Sequence, residues 1–274
     1  KTEALFLASK VTSRKGDFLL LTHFPLSLTV QGFELILNEI KEIAQKERVS
    51  FIRIAPSFKP ESLEEDLLIE AGFKLSPSSI FPLKSLELDL SLSDQEILAQ
   101  MRRDARYRIR KTLEDKSARI SVSDDLNLFY NLYQETAERH RFKPFSYDYL
   151  KKETEVNDTS IILGWRGDKL ISGAFIVFWG GKAFYHHGAS LSDSGKTSLS
   201  HLVQWAVIQE AKKRGCSRYD LWAIAPTKDK DHKWSGLTHF KKSFGGKEID
   251  YAQTRDLPLS KRYLITYWAE RIKG

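Results

Sequence analysis

Three apolar segments follow one another in the second half of the chain and restrict its fold more than any other feature. They cover residues 161–165, 170–179 and 183–187, and turns at Gly167 and Gly180–Gly181 separate them. Apolar runs of this length, bounded by glycine turns, are typical of neighbouring strands in an antiparallel sheet. The spacing therefore predicts an antiparallel meander of three strands.

The segments after the meander predict an α/β fold. A helix over about 197–214 precedes a buried strand over 219–224, which is followed by a short helix, a strand over 247–254 and a final amphipathic helix from about Ser260. The first half repeats part of this plan, since a helix there leads into the strand Phe51–Pro56. Such a repeat is what two α/β halves of similar design would produce.

A basic helix is predicted between these halves. The capping box Ser93–Glu96 marks its start, and the helix continues through Lys111, with or without a break. Apolar residues recur at every fourth position, namely Met101, Ala105, Ile109 and Leu113. Between 102 and 111 there are six basic residues against one acid, Asp104. Two interpretations stay open, a solvated helix and a polyanion-binding surface that uses arginine to bind phosphate.

The segment Gly236–Gly245 predicts a second short helix with an unusual pair of cations. Phe240 and Phe244 lie four residues apart, so they share a helix face that can pack on a core. Lys241 and Lys242 lie between them and are expected to point away from that face. Either lysine could then hold an anion in a fixed place, or both could be solvated.

Composition restricts the partners and the compartment. The chain has 274 residues and a net charge of +7, which favours polyanionic partners, although a basic excess also aids solubility. Cys216 is the only cysteine, which excludes an internal disulfide and favours a reducing, cytoplasmic location. No apolar run reaches the length of a membrane span.

Two other motifs are not interpreted as the sites that they resemble. His186 and His187 are neighbours on a predicted strand and should point to opposite faces, so we predict no metal site. The segment Asp193–Ser198 looks like the end of a phosphate-binding P-loop, but Ser190 stands where that motif needs glycine. The loop is then a helix cap, or an anion site built on Lys196 and backbone amides.

Several motifs, in order along the chain, resemble the Fem family of peptidoglycan interpeptide-bridge transferases. The resemblance runs from about Ser50 to the end of the chain. The matching segments are Met101–Lys111, Ile171–Phe175, Phe184–Ser190, Val203–Trp205, Gly215–Trp222, Gly236–Phe244 and Ile249–Tyr251.

The resemblance implies an α/β (α+β) fold of two tandem GNAT-like domains. The first domain would comprise residues 1–90 with the C-terminal helix, 258–274, folded back on it. The second domain, 91–257, would contain an active-site channel. By comparison with the family, the first domain is expected to be shortened at its N-terminus, and the coiled-coil arm of some members is expected to be absent.

The resemblance also implies an activity and its residues. The family transfers an aminoacyl group from aminoacyl-tRNA, a co-substrate, to an amine of a peptidoglycan precursor, without a further cofactor. Phe240 and Lys241 match the catalytic pair beside the reacting ester. Lys143 and Tyr147 match a precursor-binding pair in which the family has arginine instead of lysine, and Tyr185 matches a substrate-binding tyrosine of the channel.

The expected partners follow from this activity. Arg102, Arg103, Arg106 and Arg110 of the basic helix are predicted to bind tRNA. The precursor is either UDP-linked or lipid-linked, and the second case brings the protein to the inner face of the membrane as a peripheral contact. The chain is expected to act as a monomer. No general base is assigned, and Asp220 and Glu248 are candidates only because they are near in the sequence.

Two alternatives remain. The first is a GNAT-type acyl-CoA N-acyltransferase, which the single glycine of the loop Leu191–Thr197 disfavours. The second is a non-catalytic RNA- or envelope-binding relative, which the basic helix and the expected shortening of the first domain support.

Overall fold

The computed structural model describes residues 6–14, 16–24, 29–192, 197–227 and 231–272. The chain divides into two compact units, Lys1–Lys84 with Ile249–Gly274, and Ser85–Glu248. Both units combine a sheet with helices, which confirms the predicted α/β class. No helix in the described ranges combines the length and the apolar character that crossing a membrane requires.

The first unit is built on a five-stranded sheet. Its strands are β1 (Ala8–Val11), β2 (Phe18–Phe24), β3 (Phe51–Pro56), β4 (Lys74–Leu75) and β12 (Arg255–Pro258), in the order β1-β2-β3-β12-β4. Its helices in the described residues are α1 (Val30–Lys46), α2 (Leu63–Glu70) and α9 (Tyr263–Arg271). Strands β2 and β3 run parallel, and the other pairs run antiparallel.

A buried ion pair lies at the centre of the first unit. Arg53 of β3 is only 2% exposed, and its Nε and Nη2 donate to the two carboxylate oxygens of Asp256, each at 2.7 Å. Its Nη2 and Nη1 also donate to Glu270 of α9, at 2.8 and 3.2 Å. These hydrogen bonds raise the pKa of Arg53 against the opposing effect of burial. The guanidinium thus connects two strands and the C-terminal helix α9.

The second unit is built on a seven-stranded sheet, in the order β11-β5-β10-β9-β8-β7-β6. Its strands are β5 (Lys84–Asp89), β6 (Ala118–Ser123), β7 (Asp158–Arg166), β8 (Lys169–Trp179), β9 (Lys182–Ser190), β10 (Arg218–Ala223) and β11 (Lys247–Asp250). Its helices in the described residues are α3 (Asp94–Gln100), α4 (Arg103–Leu113), α5 (Leu126–His140), α6 (Tyr147–Val156), α7 (Leu199–Lys213) and α8 (Ser235–Lys242).

Alternating side chains place helices on both faces of this sheet. In β7, Ile162 packs with the α4 and α7 residues on one face, whereas Ile161 and Leu163 pack with the α5 and α6 residues on the other. Strands β7, β8 and β9 are antiparallel neighbours, which confirms the predicted meander. Strand β10 then joins β9 in a parallel arrangement.

The sheets assign two strands differently from the sequence analysis. Strand β5, which we expected in the first domain, pairs with β10 in the seven-stranded sheet. Strand β12, of which we expected residues 255–257 in the second domain, pairs with β3 in the five-stranded sheet. The buried pair between Arg53 and Asp256 explains the second difference, because Asp256 lies on β12.

The predicted basic helix is interrupted. Helix α3 ends at Gln100 and α4 begins at Arg103, with Met101 and Arg102 in extended conformation between them. The amide of Arg102 donates to the carbonyl oxygen of Ser243 at 2.9 Å, just after α8. This hydrogen bond therefore holds the start of α4 against the end of α8.

Replacing Arg53 by methionine should strongly destabilise the first unit. Arg53→Met leaves the carboxylate of Asp256 buried without its partner, so we expect the free energy of unfolding to fall by about 3–5 kcal/mol. The matched control is Lys10→Met, which breaks the exposed pair of Lys10 with Glu47 and should cost less than about 1 kcal/mol. Urea denaturation followed by circular dichroism measures both losses, and equal losses would contradict the structural role of Arg53.

Candidate active site

The regular pairing between strands β9 and β10 is short. Their parallel pairing runs from Lys182–Arg218 to Phe184–Asp220. After Asp220 the register between β10 and β5 shifts, and Trp222 adopts a φ of 65°. Positive φ is uncommon for a residue with a bulky side chain. Strained backbone of this kind collects at functional sites, which makes this end of the sheet the first candidate.

Asp220 stabilises this strained backbone. One of its carboxylate oxygens, Oδ1, accepts hydrogen bonds from the amide of Trp222 at 2.7 Å and from the hydroxyl of Ser85. Asp220 is buried, and burial raises the pKa of its carboxyl. The other candidate base, Glu248, forms an ion pair with Lys242 at 2.5 Å. These contacts indicate that Asp220 positions the end of β10, and that Glu248 belongs to a surface ion pair.

Lys241 is buried at this end of β10. Its side chain is 4% exposed, and its Nζ donates to the carbonyl oxygen of Ala223 at 2.8 Å. The expectation that both lysines point away from the apolar face is therefore wrong for Lys241. The contact is possible because the irregular end of β10 presents the Ala223 carbonyl to α8.

Burial changes the acidity of Lys241. It lowers the pKa of the ammonium to about 8, and the negative charge of Asp220 opposes part of this effect. The group is therefore still mostly protonated at neutral pH, but it releases its proton more readily than an exposed lysine. A cation of this kind can stabilise a developing oxyanion or donate a proton to a leaving group.

Tyr185 forms one wall beside Lys241. The Nζ of Lys241 lies 5.8 Å from the centre of the Tyr185 ring. The Tyr185 hydroxyl hydrogen-bonds to Gln204, and burial raises the pKa of Tyr185 to about 12. A Cβ at Gly188 would lie 1.9 Å from the Tyr185 hydroxyl oxygen, so only glycine leaves room for it. The ring is thus fixed with its face towards the cation.

Phe240 holds α8 in place. Its ring packs edge-on against His201 at 5.1 Å and against Phe244 at 5.2 Å between ring centres. Phe244 is fully buried, as its helical spacing predicts. The two phenylalanines therefore anchor the helix from which Lys241 extends.

Lys143 and Tyr147 lie on a different part of the second unit. Lys143 is exposed in the loop between α5 and α6, and Tyr147 is the first residue of α6. The Tyr147 ring packs edge-on against Tyr130 of α5, with ring centres 5.3 Å apart. The structure therefore brings Tyr185 to Lys241 and places the Lys143–Tyr147 pair on the helical layer of α5 and α6.

Three of the four predicted arginines line one groove. Arg103, Arg106 and Arg110 surround it, and its volume is about 680 Å³. The other lining residues are Leu98, Tyr107, Ile109, Leu113 and Trp205. Arg106 also donates to the carbonyl oxygen of Met101 at 2.6 Å. Arg102 instead contacts His239 of α8 at 3.1 Å.

The structure corrects the interpretation of the two neighbouring histidines. Phe175 of β8 pairs with His187 and the next residue, Ile176, pairs with Tyr185, so His186 is an extra residue in a β-bulge. The expectation that the two side chains point to opposite faces is therefore wrong. Both Nε2 atoms hydrogen-bond to Glu153 of α6, at 2.6 Å for His186 and 3.2 Å for His187. No local sequence signal connects Glu153 to the histidines, which lie more than thirty positions further on.

The P-loop-like segment Asp193–Ser198 cannot be assigned a geometry, because residues 193–196 lie outside the described residues. The same holds for most of the loop Leu191–Thr197, whose single glycine disfavours CoA.

Comparison with known proteins gives both a family and a fold. The family described as acetyltransferase (GNAT) domain matches residues 99–241, which is more than half of the chain. The lipid II:glycine glycyltransferase of Staphylococcus epidermidis is 22% identical over 288 residues, covering 77% of this chain and 69% of that protein.

Two solved structures share the fold. The crystal structure of FemX has a TM-score of 0.83 and 18% sequence identity, over 97% of this chain and 86% of the FemX chain. A tandem GNAT protein from the clavulanic acid biosynthesis pathway has a TM-score of 0.51 and 10% identity, over 89% of this chain and 78% of that chain.

The buried Lys241 should make stability rise with pH in a defined range. Its pKa is about 8 in the folded chain, against an ordinary value of 10.5, so the unfolded chain binds this proton more tightly between the two values. The free energy of unfolding should therefore increase by about 3 kcal/mol as the pH rises through this range. Urea denaturation of the wild type and of Lys241→Met, from about pH 7 to about pH 10.5, isolates this group. Parallel stability curves would contradict the prediction.

Proposed function

This chain belongs to the acetyltransferase (GNAT) domain family, and we propose that it transfers an aminoacyl group from aminoacyl-tRNA to an amine of a peptidoglycan precursor. Its resemblance to the Fem family, predicted from sequence motifs, is confirmed by its relatives and its fold. The relatives named for lipid II and glycine support this substrate class. The observation that carries the proposal is the buried ammonium of Lys241, held between the Ala223 carbonyl and the Tyr185 ring.

The proposed reaction exchanges one acyl bond for another. The acceptor amine attacks the carbonyl carbon of the aminoacyl ester, and a C–N bond forms. The C–O bond to the tRNA ribose then breaks, the ribose oxygen takes up a proton, and the nitrogen loses one. Negative charge develops first on the carbonyl oxygen and then on the leaving ribose oxygen, so a fixed cation near both atoms lowers the barrier.

Lys241 supplies that cation in the proposal. One N–H of its ammonium is engaged by Ala223, and an ammonium carries two more donors for the reacting ester. Because its pKa is lowered to about 8, the same group can pass a proton to the leaving ribose oxygen and regain one near neutral pH. Tyr185 and Phe240 position it, the first through its ring face and the second by anchoring α8.

The arginine groove is proposed to hold the RNA backbone of the donor. Arg103 and Arg110 are exposed, as required for contact with phosphates, and Tyr107 and Trp205 offer aromatic faces for unpaired bases. Cations interleaved with aromatic side chains are characteristic of sites for single-stranded nucleic acid. Helix α4 starts beside the end of α8, so the groove and Lys241 are linked through one backbone hydrogen bond.

The acceptor is proposed to be held by Lys143 and Tyr147, on the helical layer formed by α5 and α6. The exposed ammonium of Lys143 suits a phosphate of a UDP-linked or lipid-linked precursor, as a point charge rather than the two-pronged contact of arginine. Such a reaction would use charged tRNA in the cytoplasm and, for a lipid-linked acceptor, would bring the protein to the inner face of the membrane.

Replacing Lys241 tests the mechanism directly. The protein is incubated with a mixture of charged tRNAs and with UDP-linked or lipid-linked precursor, and product mass identifies the transferred group. In single-turnover assays Lys241→Met should lower the rate by about 10²–10³-fold, the usual cost of losing one oxyanion donor. The control Lys242→Met removes the same charge from the neighbouring residue, which pairs with Glu248, and should retain activity.

The same assay separates the alternatives. Full activity of Lys241→Met would remove Lys241 from the mechanism. Transfer from acetyl-CoA but not from charged tRNA would favour an acyl-CoA N-acyltransferase, and tRNA binding without any transfer would favour a non-catalytic relative.

The groove is tested by the salt dependence of tRNA binding. Arg103→Gln combined with Arg110→Gln should weaken binding and reduce the slope of log affinity against log salt by about 1 for each phosphate that is no longer neutralised. The control combines Lys41→Gln with Lys46→Gln, which removes the same charge from α1. Fluorescence anisotropy at several salt concentrations gives both slopes, and equal slopes would contradict the proposed groove.

A further inference from the structure

Glu153, His186 and His187 form a cluster that the proposed transfer reaction does not use. We propose that these three side chains bind a divalent transition-metal ion of the zinc class. One carboxylate oxygen of Glu153 and one nitrogen of each histidine lie within 4.8 Å of one another. Two imidazoles and one carboxylate form a common protein ligand set for zinc, and they leave a fourth position open.

The β-bulge at His186 is the structural reason for this cluster. In a regular strand, consecutive side chains point to opposite faces, so neighbouring histidines cannot share an ion. Here the extra residue turns the His186 ring to the side of His187, and the ring centres lie 4.3 Å apart. A bulge that re-aims a side chain next to a candidate active site is a recurrent functional device.

Only a small adjustment of the three side chains is needed for metal binding. The Nε2 atoms are already 2.6 and 3.2 Å from oxygens of Glu153. Zinc bonds of about 2.0–2.1 Å in a tetrahedral site place the ligand atoms about 3.3 Å apart. Small shifts of the three side chains would therefore convert the hydrogen-bonded cluster into a coordination sphere.

The surroundings resemble the outer shell of a metal site. The side chains of Glu153 and His187 are 13% and 7% exposed, whereas His186 is 27% exposed and gives access from solvent. The hydroxyl of Tyr149 hydrogen-bonds to Glu153, which fixes the orientation of the carboxylate. Aromatic rings also pack around the histidines, namely Tyr133, Phe145 and Phe175 at His187 and Trp222 at His186.

The site would adjoin the candidate active site. The ring of Trp222, whose strained backbone precedes Ala223, lies 6.2 Å from the ring of His186. His186 itself follows Tyr185, which contacts Lys241. The proposal concerns metal binding alone, and it holds whether or not the chain transfers an aminoacyl group.

Metal titration of the untagged full chain tests the proposal. After treatment with EDTA and its removal, isothermal titration with Zn²⁺ should show one site, and Co²⁺ should give visible d–d absorption of a low-coordinate ion. Glu153→Gln and His186→Gln should each weaken zinc binding by on the order of 100-fold, and Tyr149→Phe by about 10-fold. The matched control His140→Gln, which removes an exposed histidine at the end of α5, should bind zinc as the wild type does.

Thermal melting without metal checks that each variant is folded. His186→Gln is the preferred variant, because His186 is the most exposed of the three ligands. Two results would overturn the proposal: no zinc binding by the wild type, or equal binding by the wild type, Glu153→Gln and His186→Gln. Either would leave the cluster as a hydrogen-bonded clamp between α6 and β9.

Discussion

The hydrogen bond from the Trp222 amide to Asp220 is the interaction on which both candidate sites depend. It stabilises a left-handed backbone that a tryptophan does not readily adopt. Beyond this residue, the Ala223 carbonyl is available to Lys241, and the Trp222 ring packs against His186. One buried carboxylate thus shapes the end of β10, and through it the surroundings of the ammonium and of the histidines.

Among the described residues, Arg53 is buried in the first unit and Lys241 in the second, and the two side chains are neutralised in different ways. Arg53 is matched by two carboxylates, which raise its pKa and keep its charge permanent. Lys241 has a neutral carbonyl as its hydrogen-bond partner, and Asp220 supports its charge only through space, so burial lowers its pKa to about 8. A fully neutralised charge connects elements, whereas an incompletely neutralised one can respond to charge that develops in a substrate.

In the second unit, the proposed binding and catalytic residues lie on separate elements of one sheet and its helices. Helix α4 carries the arginine groove, helix α8 carries the cation, and the α5–α6 layer carries Lys143 and Tyr147. The strands β9 and β10 connect these parts, because Tyr185 next to the bulge of β9 and the Ala223 carbonyl at the irregular end of β10 both contact Lys241. Rigid strands with locally irregular ends suit a reaction that depends mainly on positioning.

Sequence alone determined the class of fold and the family. The periodicity and glycine turns of residues 161–187 correctly predicted the meander, and the ordered motifs correctly indicated the Fem relationship. Only the tertiary structure decided that Lys241 is buried, that Asp256 brings β12 to Arg53, and that Glu153 meets both histidines. The reason is physical, because a prediction from local spacing assumes regular strands and helices. A β-bulge, a left-handed backbone conformation at a tryptophan and a buried ion pair instead arise from contacts between residues far apart in the chain.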